Sequence, residues 1–67
     1  MMHYDTATDL LFNCVICYTT PSGQRRYFRT KTIAPAADLA VELAERQLRS
    51  DRRRRVGSTV YTQAVQA

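Results

Sequence analysis

The stretch from residue 10 to residue 33 constrains the fold most, because strand-like patterns lie on both sides of a short turn. Every second residue of its first half is apolar, which is typical of a strand with one buried face. These residues are Leu10, Phe12, Cys14, Ile16 and Tyr18. The turn is Thr20-Pro21-Ser22-Gly23, in which Pro21 suits a type I turn and Gly23 can adopt the left-handed conformation that closes a three-residue loop. The stretch therefore predicts a β-hairpin.

One register of this hairpin satisfies both strands. If Thr20 pairs with Gln24, the core face contains the pairs Ile16–Phe28, Tyr18–Arg26, Cys14–Thr30 and Phe12–Thr32. The opposite face then contains Thr19–Arg25, Cys17–Tyr27, Val15–Arg29 and Asn13–Lys31. A slip of one residue would bury Arg25, Arg29 and Lys31, whose desolvation is too costly. The register therefore predicts that Phe28 is buried under a covering helix and that Tyr27 is not.

The second half of the chain predicts a helix and a third strand. Pro35 suits the first helical position, and strong helix formers continue to about Arg49. The predicted apolar face of this helix comprises Ala36, Leu39, Ala40, Val41, Leu43, Ala44 and Leu48. Residues 56–65 are rich in Val, Thr and Tyr and predict a strand, in which Gly57 marks a bulge or a bend.

The resulting order, β-β-α-β, describes a two-layer α+β sandwich with the helix on one face of the sheet and the other face open. The order of the strands within the sheet stays undecided. The length of 67 residues allows one domain, which we assign to residues 9–66 after a flexible tail of residues 1–8. No apolar run approaches the ~20 residues of a membrane span, and no signal peptide or disulfide framework is apparent. We therefore expect a cytoplasmic protein with no membrane partner.

The sequence lacks the residue combinations of common catalytic and cofactor sites. Cys14 and Cys17 have the spacing of a CxxC pair, but residues three apart on a strand point to opposite faces and cannot bind one metal ion together. The single histidine, His3, lies in the predicted tail, and two glycines are too few for a phosphate-binding loop. We therefore expect a protein that is not an enzyme, with no catalytic residues, no metal ligands and no cofactor.

The open face of the predicted sheet is basic and contains tyrosines. The net charge of +4 attracts polyanions, although such an excess also simply keeps a small protein soluble. If Val56, Val60 and Thr62 face the helix, then Tyr61, Arg53 and Arg55 join the open face. The run Arg52–Arg55 suits phosphate contacts, or equally a solvated connector at the helix end. The complete set of predicted nucleic-acid-binding residues is Arg25, Tyr27, Arg29, Lys31, Arg52, Arg53, Arg54, Arg55 and Tyr61.

These residues predict a small binding module that engages nucleic acid, because guanidinium groups contact phosphates and aromatic rings stack on bases. Tyr and Arg also favour protein interfaces. The alternative is therefore a protein-interaction module with no nucleic-acid role, whose partner is another protein or a second copy of the chain in a homodimer. The Val- and Thr-rich last strand would allow such a dimer to form by edge pairing.

Overall fold

One helix and three antiparallel strands make up residues 9–67, which are the residues that the computed structural model describes. In chain order the elements are β1 (Leu10–Thr19), β2 (Arg25–Ala34), α1 (Ala37–Ser50) and β3 (Ser58–Gln66). The helix packs against one face of the sheet, so the predicted α+β fold of order β-β-α-β is confirmed. The predicted flexible tail of residues 1–8, including His3, lies outside the described residues.

The hairpin of β1 and β2 has the predicted register. Ile16 lies opposite Phe28, and the same register extends from Leu10–Ala34 to Thr19–Arg25. At the turn, the Thr20 N–H donates to the Gln24 carbonyl at 2.8 Å. Gly23 has a φ of 93°, in the left-handed region that favours glycine. The turn therefore fixes which residues of both strands face the helix.

β1 is the central strand, because the sheet order is β2-β1-β3. β3 pairs antiparallel with β1, with Tyr61 opposite Cys17 and Thr59 opposite Tyr18, so Val60 is an extra residue at a β-bulge. The expected inward position of Val60 is therefore wrong, and its side chain is 45 % exposed. The bulge lies there and not at Gly57, whose N–H instead donates to the Thr19 carbonyl at 2.6 Å.

The core lies between α1 and the centre of the sheet. The buried helix residues are Ala40, Ala44 and Leu48. The buried residues beneath them are Phe12, Cys14, Ile16 and Tyr18 of β1, with Thr32 and Ala34 of β2. The two alanines allow the helix backbone to approach β1 closely, and the Cys14 Sγ lies 3.8 Å from the Ala40 carbonyl oxygen. Close packing of this kind is the main stabilising contribution in so small a domain.

Three predicted details of the helix and of the residues beneath it are wrong. The helix begins at Ala37 after the extended N-cap residue Ala36, so Pro35 precedes the first turn instead of opening it. Leu39 is 41 % exposed, because the buried stripe passes through Ala40 and the residues one and two turns later. Phe28 is only half-buried, because it lies on the edge strand β2 at the margin of the core.

Candidate nucleic-acid interface

Two tyrosines flank Cys17 in one row across the open sheet face. Tyr27 of β2 and Tyr61 of β3 both pair with Cys17, and we call these three residues the tyrosine row. Tyr27 is 51 % exposed and Tyr61 is 46 % exposed, whereas Cys17 is fully buried between them. Because neighbouring strands lie ~4.8 Å apart, the two tyrosine backbones are roughly 10 Å apart. The phenols therefore cover Cys17 and still present ring surface to solvent.

The two phenols also interact electrostatically. The pKa of Tyr27 is raised, first because an ionised Tyr61 would repel a phenolate at Tyr27 and second because the Cys17 thiol acts in the same direction. Tyr27 therefore stays neutral through the physiological pH range and adds no negative charge to the face. A neutral aromatic surface of this kind can stack on a base without repelling the neighbouring phosphates.

β2 supplies positive charge beside the tyrosine row. Arg25, Arg29 and Lys31 are exposed and share the face of Tyr27, since they alternate with the residues that face the helix. None of the three strands contains Asp or Glu. Within residues 9–67, the acidic side chains lie before β1, on α1 or just after it, at Asp9, Asp38, Glu42, Glu45 and Asp51. The open face therefore has a positive edge with no compensating acidic residue on the sheet.

The opposite end of the open face is apolar. Leu11, Ile33 and Val65 are exposed there, with Leu11 paired to Ile33 across β1 and β2. Leu11 lies six positions before Cys17 on β1, which places Leu11 and Ile33 roughly 20 Å from the tyrosine row. Val65 pairs with Asn13, four positions before Cys17, and lies roughly 13 Å from that row. The face thus combines an aromatic end, beside Arg25 and Arg29, with a mainly apolar end, where Lys31 lies in the same row as Val65.

Three residues of the arginine run, Arg53, Arg54 and Arg55, do not lie on the open face. The Arg54 guanidinium lies 5.0 Å from the centroid of the Phe28 ring and donates a hydrogen bond to the Tyr18 Oη at 3.3 Å. Tyr18 and Phe28 both belong to the face that the helix covers. Arg53 and Arg55 line a cavity with Tyr18 on this same side.

The structure therefore divides the predicted nucleic-acid-binding residues between two surfaces. Arg25, Tyr27, Arg29, Lys31 and Tyr61 come together on the open face, as expected. The expectation that Arg53 and Arg55 join Tyr61 there is not met. Residues 52–57 are not part of a strand, so the two-residue alternation of β3 does not extend back through them.

Sequence reasoning missed that Tyr18 and Arg26 lie beside the arginine run. The two residues are paired across β1 and β2 and line the same cavity as Arg53 to Arg55. A signal was present, because the hydroxyl of a buried tyrosine usually finds a hydrogen-bond partner.

The two cysteines point to opposite faces of β1, as predicted. The Cys14 Sγ lies in the core, 3.4 Å from the Thr32 Oγ1, whereas Cys17 belongs to the tyrosine row. Both thiols are free and buried. Within residues 9–67, no three His, Cys, Asp or Glu side chains are grouped so that they could hold a metal ion.

No family model, curated protein or solved structure matches this chain significantly. Its function must therefore be inferred from the two surfaces themselves. In the part of the chain that the structure describes, no helix is long and apolar enough to cross a membrane, since α1 has only 14 residues.

Proposed function

We propose that this protein is a small non-enzymatic module that binds a nucleic-acid strand on the open face of its sheet. One observation carries the proposal: the exposed rings of Tyr27 and Tyr61 lie in one row beside Arg29, on a sheet that contains no carboxylate. The rings offer stacking surfaces for unpaired bases, and the basic residues of β2 offer contacts for the phosphates that connect those bases.

The expected energetics of such binding follow from the residues on the face. Stacking of a base on an aromatic side chain contributes ~1–3 kcal/mol by alanine substitution, so two tyrosines can supply useful affinity without reading sequence. Neutralising phosphates with Arg25, Arg29 and Lys31 releases counterions. The logarithm of the affinity then falls with the logarithm of the salt concentration with a slope of about −2 for a single strand.

We further propose that the protein acts in the cytoplasm. Support comes from the two buried free thiols, which a reducing compartment maintains. The absence of a catalytic role is part of the same proposal. It rests on the missing combinations of nucleophile and base in the sequence and on the flat shape of a sheet face, which does not enclose a reacting group.

The test is a fluorescence-anisotropy titration with single-stranded and duplex DNA and RNA at several salt concentrations. Replacing both tyrosines by alanine (Tyr27→Ala with Tyr61→Ala) should weaken single-strand binding by roughly 30-fold or more, because each of the two lost stacking contacts contributes ~1–3 kcal/mol. The matched control replaces both by phenylalanine, which keeps the rings and should keep the affinity. The proposal fails if the wild-type protein binds no tighter than the high-micromolar range at low salt.

A second candidate function is protein interaction, including self-association into a homodimer. It is favoured by the edge of β3, a strand that contains no charged residue and no proline, and by the exposed apolar end at Leu11, Ile33 and Val65. β2 is the other edge strand and carries Arg25, Arg26, Arg29 and Lys31, which protect it from pairing. A homodimer would therefore pair along β3, since stacking two open faces would bring like charges together.

Sedimentation velocity over a range of concentrations tests this second function. Self-association should disappear in Gln63→Lys, which places a charge on the β3 edge strand, and should persist in Lys31→Gln on the opposite edge. A strictly monomeric protein that captures no protein partner would exclude the second function and leave the nucleic-acid proposal unaffected.

A further inference from the structure

A second charged feature lies at the hairpin end of the molecule, on the helix side of the sheet. It is a cavity of about 540 Å³, whose basic lining residues are Arg26, Arg53, Arg54 and Arg55. We call it the arginine cavity. Its volume lies within the range of ~300–1,000 Å³ that is usual for small-molecule sites. Its walls come from the hairpin on one side and from the connector between α1 and β3 on the other.

The charge of the arginine cavity is largely uncompensated. In residues 9–67 the structure contains one ion pair, between the Arg54 Nε and the Asp51 Oδ2 at 3.1 Å. Four guanidinium groups and this one carboxylate leave a net charge of +3 around the cavity. Side chains of like charge that converge on one cavity repel each other, and an arrangement that conflicts with local stability in this way is typical of functional sites.

Arg54 is fixed in place by three contacts. It forms the ion pair with Asp51, lies over the Phe28 ring and donates to the hydroxyl of Tyr18, whose side chain is almost fully buried in the core. A guanidinium held by a buried residue loses little conformational freedom when it binds a ligand, so it contributes more of its interaction energy to affinity.

Asp51 also shapes the turn that presents the neighbouring arginines. The Arg53 backbone N–H donates to the Asp51 Oδ1 at 3.0 Å, and the Arg54 backbone N–H donates to the Asp51 carbonyl at 3.1 Å. These bonds fix the backbone immediately after the helix. Arg53, Arg54 and Arg55 are thereby directed toward one cavity, although they are consecutive in the sequence.

The opposite wall supplies neutral hydrogen-bonding groups and a fourth oriented cation. The Thr20 and Ser22 hydroxyls lie 2.9 Å apart on the hairpin loop, and the Arg26 guanidinium donates to the Gln24 side-chain oxygen at 3.0 Å. The two walls are tied together where the Gly57 N–H donates to the Thr19 carbonyl. The fold therefore holds the backbone of both walls together, and hydrogen bonds orient the side chains of Arg26 and Arg54.

We infer that the arginine cavity is a binding site for a phosphoryl group that carries two negative charges. Guanidinium groups match phosphate oxygens in pairs of parallel hydrogen bonds, and several of them around one centre favour a doubly charged group over a singly charged phosphodiester. The phosphoryl group belongs either to the end of a nucleic-acid strand or to a free phosphate monoester. This site is independent of the proposed open-face function, because the sheet separates the two surfaces.

The experiment is an NMR titration of the full chain at constant ionic strength, with chloride as the reference anion. The probes are inorganic phosphate, a terminally phosphorylated oligonucleotide and the same oligonucleotide with a free terminal hydroxyl. Phosphate should produce saturable shifts in the amides and guanidinium groups of residues 53–55 and in the amides of Thr20, Ser22 and Gln24. Tyr27→Ala with Tyr61→Ala should leave the phosphate titration unchanged, which separates this site from the open face.

Arg52 provides a matched control, because it belongs to the same run but does not line the cavity. Arg53→Ala and Arg55→Ala should each weaken phosphate binding by roughly tenfold, as expected for the loss of a charge-assisted hydrogen bond. Arg52→Ala removes the same charge and should change the affinity by no more than about twofold, since exposed charges act weakly at a distance. Thermal unfolding of each variant checks that the fold is retained.

The outcomes distinguish the two sources of the phosphoryl group, and they also test whether the arginine cavity binds a phosphoryl group at all. Tighter binding of the phosphorylated oligonucleotide than of both other probes identifies the end of a strand, and equal affinity for it and for inorganic phosphate identifies a free monoester. Shifts that do not saturate overturn the inference. Equal weakening in Arg52→Ala and Arg53→Ala also overturns it, because it would show diffuse attraction to the whole run.

Discussion

Gly57 provides the sharpest test of how the connector is held against the hairpin. A Cβ atom at this position would lie 2.9 Å from the Thr20 carbonyl oxygen and 3.1 Å from the Thr19 carbonyl oxygen. Both are backbone atoms, in the last residue of β1 and the residue after it, so neither can rotate away as a side chain can. The Gly57 N–H already donates to the Thr19 carbonyl at 2.6 Å, so relief of the clash must also weaken that bond.

The cost of Gly57→Ala follows from these two effects. Overpacking typically costs ~1–3 kcal/mol, and a lost backbone hydrogen bond adds roughly 0.5–1.5 kcal/mol. We expect a decrease of about 2 kcal/mol in the free energy of unfolding. The two costs do not simply add, because a backbone movement that relieves the clash also weakens the hydrogen bond. For a domain of this size that decrease corresponds to a fall of roughly 8–16 °C in Tm.

Urea unfolding followed by circular dichroism measures this change. Gly23 is the control, because a Cβ there would meet no atom within 4 Å and its requirement is the positive φ of 93°. Asparagine tolerates positive φ, so Gly23→Asn should cost less than Gly23→Ala, whereas Gly57→Asn should cost at least as much as Gly57→Ala. A Gly57→Ala protein as stable as the wild type would refute the close approach and, with it, the joined walls of the arginine cavity.

Three further predictions concern the core and the tyrosine row. Ile16→Ala should cost ~2–5 kcal/mol, much of the total stability of so small a domain, and should abolish or greatly weaken the cooperative unfolding transition seen by circular dichroism. Cys14 and Cys17 are buried, so a thiol reagent should label the native protein only as fast as it opens and should label it at once in denaturant. Tyr61→Phe should lower the pKa of Tyr27 toward its ordinary value, because it removes the phenolate that repels it; ultraviolet titration of the phenols at alkaline pH measures the shift.

The hairpin could be predicted from the sequence because two independent constraints agree on it. The turn at Pro21 and Gly23 fixes which alternate residues of each strand face the core. Burial of Ile16 together with exposure of Arg29 requires the same assignment of faces. Local signals of this kind are sufficient where the pairing partners are joined by three or four residues.

The position of β3 could not be predicted in the same way. After a helix, a strand can pair with either member of the hairpin, and nothing within residues 58–66 indicates that β1 becomes the central strand. The bulge at Val60 carries no glycine or turn residue that would reveal it. The side of the sheet on which Arg53–Arg55 lie is not set by strand alternation, because residues 52–57 are outside the strand, so it too required the structure.

The residues of the open face could be predicted where the pairing register of the strands is enough to determine them. Pairing placed Tyr27 opposite Cys17, and the assumption that Thr62 faces the helix placed Tyr61 on the other face, where the structure has it. That assumption is confirmed by the hydrogen bond from the Thr62 hydroxyl to Glu45 on α1. The arginine cavity was not predictable, because its walls are joined by a backbone contact and not by a sequence pattern.

The central claim is that the tyrosine row and the basic side chains of β2 form the surface that binds nucleic acid. An NMR chemical-shift map with an unphosphorylated single-stranded oligonucleotide tests it most directly. We predict that the largest shifts occur at Cys17, Tyr27, Arg29 and Tyr61, with small shifts along α1. Shifts confined to the helix or to the apolar end at Leu11, Ile33 and Val65, or no shifts at low salt, would contradict the claim.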